Sequence, residues 1–347
     1  MNFYNQQHRY YCGVDLHAKS MFLCVLDREG NKLLHRNIRT DGEYFLKVLE
    51  PYREDVVVGV ECMFSWYWVA DLCAEKGIPF ALGHALYMKA IHGGKAKNDK
   101  IDSHKIAVIL RGGMFPTAYV YPKEMRATRD VMRRRTHFVR RRAELLGHVQ
   151  LTRLQYNLPQ FAKKIGHRRS CPEVTKYFDD PMVKQSVAAD VETIEHLHDQ
   201  VRKLTLAVLR SARIHDPEAL RILQTINGVA HVLALTVLYE VQDIRRFPRV
   251  QEFLSYSRLV KSKKESAGKN YGSSGSKIGN AHLKWAFSEM AVTVMSNNPP
   301  IHEYFEKLAR KHGKPKALTL LSAKLGRTIY IMLTKKRSFD MNRFLQN

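Results

Sequence analysis

Apolar and polar positions change rhythm three times along this chain. In the first 122 residues, short apolar runs alternate with polar turns. Residues 10–16 (YYCGVDL) predict a buried strand. Residues 21–27 and 32–39 predict two more, joined by the turn Arg28-Glu29-Gly30-Asn31. A helix is expected over 41–50 with Asp41 as its cap. The β-branched run 56–61 (VVVGVE) predicts a strand that ends on a charge. A helix over 65–76, closed by Gly77, leads to a fifth strand over 79–83. Residues 93–98 form a basic, glycine-containing loop, and 99–111 predict a helix with Ile101, Ile106, Ile109 and Leu110 apolar.

Around Pro122 the rhythm lengthens. Residues 124–157 hold nine Arg, no Lys and three acids, with Val131, Phe138, Leu145 and Val149 at helical spacing. They predict one long basic helix ended by Pro159. A second helix is expected over about 188–213. Its Val191, Ile194, Leu197, Val201, Leu204 and Val208 recur at spacings of three and four, a coiled-coil seam. The two helices predict an antiparallel hairpin able to dimerise. From 216 on, helices are expected over 218–225, 231–241, 302–312 and 315–334, with Asn297-Asn298-Pro299-Pro300 as a break. A Lys/Ser/Gly-rich segment, 261–280, reads as a flexible phosphate-binding loop. The turn Ile226-Asn227-Gly228-Val229 is either another phosphate contact or a tight connection between helices. The division is thus 1–122, 123–215 and 216–347.

Charge narrows the function. Across 347 residues, 57 Lys and Arg face 33 Asp and Glu, a formal charge of +24 that attracts nucleic acid first. No apolar run approaches a membrane span of roughly 20 residues, and Met1–Tyr11 lacks the apolar core of a secretion signal. The five cysteines form no CxxC pair, so reduced core thiols in a cytoplasmic protein are expected. A P-loop ATPase is excluded, because no GxxxxGK[ST] is present.

Against this basic background four acids stand out. Asp15 lies inside the first strand between Val14 and Leu16, facing away from both, and Glu61 ends the fourth. An acid in an apolar strand is costly unless paired or metal-bound. Asp99 and Asp102 are three apart at a helix start, so they point from one face; alone they would read as cap and dipole partners. Phosphodiester chemistry with two metals needs several oxygen ligands converging, which Mg²⁺ or Mn²⁺ takes from carboxylates and water. Asp27, Asp41 and Glu43 sit at turns or caps and read as structural, while Lys95, Lys97 and Lys100 either meet phosphates or are simply solvated. Three leading strands followed by alternating helices and strands is the element order of a ribonuclease H-like (RuvC-like) α/β fold, with α-helical regions after it.

Gly13-Val14-Asp15-Leu16-His17, Val60-Glu61 and Asn98-Asp99-Lys100-Ile101-Asp102 together resemble the DEDD insertion-sequence transposases. These are bridge-RNA-guided recombinases with a RuvC-like amino-terminal domain, and the resemblance runs through nearly the whole chain. It implies Asp15, Glu61, Asp99 and Asp102 as metal ligands. It also implies donor and target DNA, a guide RNA and a homo-oligomer as partners. The residues alone do not choose among Ser262, Ser266, Ser273, Ser274 and Ser276 as a nucleophile. The family shows a Glu-Ser pair after an apolar helix ending in Leu. Here Leu259 is followed by Glu265-Ser266, so the resemblance implies Ser266, with Ser276 second. Ala267 stands where many members have Gly after that serine. Asn227 and Ala230 depart from the family's Pro-Gly-Ile-Gly turn. With the serine far from the carboxylates, the resemblance implies a site assembled across subunits. Two rival readings are a junction-resolving nuclease that uses water and a non-catalytic nucleic-acid scaffold.

Overall fold

The computed structural model describes residues 2–92, 98–161, 165, 171–274 and 278–346, with the backbone alone for 92, 171, 172, 211–215, 262–266, 270, 273 and 274. Contact density divides the chain into two units, Met1–Lys123 and Glu124–Asn347.

The first unit is a mixed α/β domain. In chain order it contains β1 (Phe3–Tyr4), β2 (Tyr10–Leu16), β3 (Ser20–Leu26), β4 (Lys32–Arg39), α1 (Gly42–Leu49), β5 (Val56–Glu61), α2 (Tyr67–Glu75), β6 (Phe80–Gly83), α3 (Ala85–His92), α4 (Asp99–Arg111) and β7 (Phe115–Pro116). Five strands form one sheet in the order β4-β3-β2-β5-β6, and β1 pairs separately with β7. β2, β3 and β4 are antiparallel neighbours, whereas β2, β5 and β6 run parallel. The central strands are buried on both faces, which is why β5 reads as an unbroken valine run rather than an alternation. One face (Cys12, Val14, Leu16, Val58, Val60) packs with Phe45, Leu49, Val69 and Cys73 of α1 and α2. The other (Tyr11, Val57, Ala81) meets Ile106, Ile109 and Leu110 of α4.

The second unit is mostly helical. Its elements are α5 (Lys123–Gln155), α6 (Cys171–Val174), α7 (Pro181–His215), α8 (Pro217–Gln224), α9 (His231–Val241), α10 (Val250–Tyr256), β8 (Ser262–Ser266), β9 (Lys269–Ser274), α11 (Ala281–Asn297), α12 (Pro299–His312), α13 (Lys314–Lys335) and α14 (Met341–Gln346). Side-chain bonds from Arg135 to Thr205, Arg142 to His198 and His148 to Asp190 step in opposite directions along α5 and α7. The pair is therefore an antiparallel hairpin. Val191 and Ile194 of the α7 seam, with Val187 one turn before it, are buried with Val149 of α5, so this part of the seam is filled within the chain. Val208 instead joins the core of α8–α13.

Several expectations are corrected. The segment 261–280 is not an irregular loop throughout: β8 and β9 pair antiparallel, from Ser262 opposite Ser274 to Ser266 opposite Lys269. Its polar composition hid a hairpin whose register is set by its turn. Ala267 (φ 49°) and Gly268 (φ 73°) supply the two left-handed residues of a tight two-residue turn. Cys62 is exposed rather than a core thiol, while Cys12, Cys24 and Cys73 are buried. The basic helix forms as expected, with Arg126 and Arg129 buried. The Asn227-Gly228 turn is packed: the Asn227 amide donates to Asn297 O at 3.0 Å, and a Cβ on Gly228 would lie 2.7 Å from Thr293 O. It is a close connection between helices. No helix among the described residues is long and apolar enough to cross a membrane.

Gly147 sits on the exposed surface of α5, with nothing within 4 Å of where a Cβ would be. Gly147→Ala is therefore expected to stabilise the helix by about 1 kcal/mol, seen as a rise of a few degrees in melting temperature without change in nucleic-acid binding.

Candidate metal centre

The parallel register of β2 and β5 sets Gly13 beside Gly59 and Val14 beside Val60. One residue on, Asp15 and Glu61 follow side by side, on the face that carries Gly13 and Gly59. That face is covered by α4, which lies on the sheet so closely that a Cβ on Gly13 would be 2.3 Å from Ser103 O. The two glycines let the helix backbone down onto the strands. Its N-terminus then sits where β2 ends.

Asn98 caps α4, its side-chain oxygen accepting from Ile101 N at 2.8 Å. The capping role is thereby filled, and Asp99 is left for other partners. His17 stands between the acids: its Nε2 is 3.5 Å from Asp15 Oδ2 and 3.5 Å from Asp99 Oδ1. Asp15, His17 and Asp99 each place one ligand atom within 4.8 Å of the other two. Asp102 and Glu61 lie outside this group. Asp102 instead pairs with Lys105 at 3.6 Å.

Burial raises the pKa of the Asp15 carboxyl; His17 lowers it, and the charges of Asp99 and Asp102 raise it again. Two carboxylates flanking one imidazole attract a cation. Two carboxylates and an imidazole nitrogen form an O/N donor set that fits a divalent cation. His17 was missed as a donor in the sequence. Its signal was the period of two from Asp15, which puts both on one face.

Of the candidate serines, Ser266 has its backbone at the end of β8, beside the tight turn. Its side chain lies outside the described residues, as do Ser276, Lys95 and Lys97 entirely.

A mixed sheet bearing converging acids, in a chain of charge +24, fits a protein that handles nucleic acid. Comparison with known proteins narrows this. Residues 220–306 match the sequence profile of "Transposase IS116/IS110/IS902 family", and residues 12–155 match a profile described as "Transposase", of the DEDD type from the same group. The chain is also 21% identical over 343 residues to the transposase for insertion sequence element IS1111A of Coxiella burnetii (strain RSA 493 / Nine Mile phase I). That alignment covers 94% of this chain and 90% of the relative. The chain belongs to the IS110 family of insertion-sequence transposases.

Proposed function

We propose that this transposase cuts and rejoins DNA through a covalent serine intermediate, with its carboxylates holding divalent metal. The observation that carries the metal half is the convergence of Asp15, His17 and Asp99, with Glu61 next to Asp15 in register. The sheet order β4-β3-β2-β5-β6, three antiparallel strands followed by two parallel ones, supports a ribonuclease H-like reading. Asp15, Glu61, Asp99 and Asp102 are the proposed ligand set, and the proximity of His17 to Asp15 and Asp99 supports including it. When bound, divalent metal supplies charge stabilisation at the phosphate and at the attacking and leaving oxygens.

The serine half rests on Ser266. Its Oγ attacks phosphorus, and the bond from phosphorus to one sugar oxygen breaks. That oxygen leaves with the proton the serine gives up. A sugar hydroxyl of the strand to be joined then attacks the same phosphorus and restores the serine. Phosphodiester energy is kept throughout, so rejoining needs no external energy source. The backbone of Ser266 stands at the end of β8, beside the tight turn.

Donor and target DNA, an element-encoded guide RNA and a homo-oligomer complete the reading. Exposed Arg134, Arg140 and Arg141 on α5 offer phosphate contacts. In this reading the second unit divides near residue 215 into a coiled-coil part and a transposase part. Sequencing the RNA that co-purifies with the protein tests the guide: an RNA with segments matching insertion sites is expected.

Ser266→Ala tests the nucleophile. On a denaturing gel the wild-type chain yields a protein–DNA adduct with labelled substrate, and the variant yields none. An adduct that persists moves the nucleophile elsewhere. Cleavage by the wild-type chain without any adduct means that water attacks instead.

A further inference from the structure

Helix α9 (HVLALTVLYEV) is apolar and buried along nearly its whole length, yet it carries one acid, Glu240, with a side chain 2% exposed. A carboxylate so deep is costly unless several donors surround it. Two arginines and an asparagine donate to it. Arg133 donates through Nε to Oε1 (2.8 Å) and through a second nitrogen to Oε2 (2.9 Å). Arg129 donates to Oε2 at 3.2 Å, and Asn280 Nδ2 to the same oxygen at 2.7 Å. Burial pushes the Glu240 pKa up, but the Arg133 hydrogen bonds, the two guanidinium charges and Asn280 outweigh it and hold the carboxyl at about 2.

Packing alone would be met by a leucine. What the carboxylate adds is a connection among three elements. Arg129 and Arg133 are one turn apart on α5, the helix that also exposes Arg134, Arg140 and Arg141. Asn280 is where the chain returns from the β8–β9 excursion. Its Oδ1 caps α11 by accepting from His282 N (2.9 Å) and Leu283 N (3.1 Å). Its own N–H donates to Tyr256 O at 2.6 Å. The departing and returning segments are pinned to each other as well. Arg258 Nε donates to Ile278 O at 3.1 Å, and a Cβ on Gly279 (φ +99°) would lie 2.7 Å from Tyr256 O. The chain on either side of the hairpin is thus fixed at Arg258, Ile278 and Asn280, and the Asn280 amide is held by Glu240 together with the Tyr256 hydroxyl.

We propose that Glu240 is a positioning residue for the β8–β9 hairpin, setting its root through Asn280 and tying that root to the arginine helix α5. The proposal rests on the reading of Ser266 as nucleophile. A phosphate bound along α5 and the chain that returns from the hairpin are then held in one frame, because Arg129 and Arg133 of α5 and the α11 cap Asn280 meet on the same carboxylate. Small displacements of a nucleophile are costly in rate: about 1 Å is worth roughly a hundredfold.

Asn280→Ser separates the two roles of that residue. Serine still caps α11 but is too short to reach Glu240. In the full chain with labelled donor DNA, the rate of adduct formation is expected to fall by about tenfold to a hundredfold. DNA affinity should stay near wild type, the melting temperature should fall by a few degrees because Glu240 loses a buried donor, and backbone amides of 262–274 should exchange faster with solvent. A wild-type rate in Asn280→Ser, or a slower rate with hairpin exchange unchanged, overturns the positioning role. Ser266→Ala run beside it keeps the two readings apart: an adduct there overturns the nucleophile, whatever Asn280→Ser does. Should Asn280→Ser not fold, hydrogen exchange on the wild-type chain decides. The amides of Asn280, His282 and Leu283 must then exchange as slowly as those of α9, and fast exchange overturns the proposal.

Discussion

Asp15→Asn and Glu61→Gln will each lower strand cleavage by roughly 10³-fold or more while leaving nucleic-acid binding nearly unchanged. Both substitutions keep shape and remove charge. Binding is carried by the basic surface of a chain with 57 Lys and Arg, which neither change touches. The Asp15 variant has a second signature in stability. Burial, then the charges of Asp99 and Asp102, raise the Asp15 pKa against the pull of His17. A carboxyl whose folded pKa is raised favours folding below its unfolded pKa and loses that contribution as pH rises through the folded value. At neutral pH the wild-type chain therefore carries an unfavourable charge that Asn lacks. The metal-free melting temperature of Asp15→Asn is expected to equal or exceed that of wild type. Millimolar Mg²⁺ or Mn²⁺ should raise the wild-type melting temperature, since an ion that binds only the folded chain stabilises it. The same ions should leave Asp15→Asn unmoved. Gel cleavage, filter binding and melting with and without metal read these outcomes, and full cleavage by either variant would end the metal-centre reading.

Where local chemistry decides structure, the sequence was readable to the residue. β5 is a β-branched run bounded by Asp55 and a terminal glutamate, and α4 begins after an asparagine that caps it; both elements have the predicted limits. The seam on α7 also showed, because apolar spacing of three and four is a property of one helix. What was hidden depends on distant partners. Glu240 looks like the polar face of α9 until Arg129 and Arg133, more than a hundred residues earlier, are placed against it. The inward part of the arginine-rich helix was hidden for the same reason. A linear count does not show that Arg126 and Arg129 face inward. The β8–β9 hairpin lacks any apolar alternation, so its only local signal was Ala267-Gly268, a weak form of the Asn-Gly turn pair. Asp15 and Glu61 were legible because a charge interrupts an apolar run. His17, on a solvent-facing turn, interrupts nothing.

Gly13→Ala will damage the metal centre without touching a ligand. The added Cβ would lie 2.3 Å from Ser103 O, 2.4 Å from Ala107 N and 3.0 Å from Ala107 Cα. All three are backbone atoms of α4, so no rotamer change can make room. The helix must rise off the sheet by about 1 Å, at a cost of roughly 1–3 kcal/mol in stability. Asp99 and Asp102 rise with it, while Asp15 and His17 stay with the strand. A misplacement of that size costs about a hundredfold in rate, and the rise in melting temperature with Mg²⁺ should shrink along with cleavage. Gly59→Ala is the internal control. Its Cβ would meet Leu110 Cδ2 at 2.9 Å and Ile106 Cγ2 at 3.4 Å, both ends of side chains that can turn aside. The milder loss expected there separates the effect of lifting α4 from that of crowding the core. Should the two variants fall equally, the approach of α4 over Gly13 does not position the acids, and the ligand set must be assembled by other contacts.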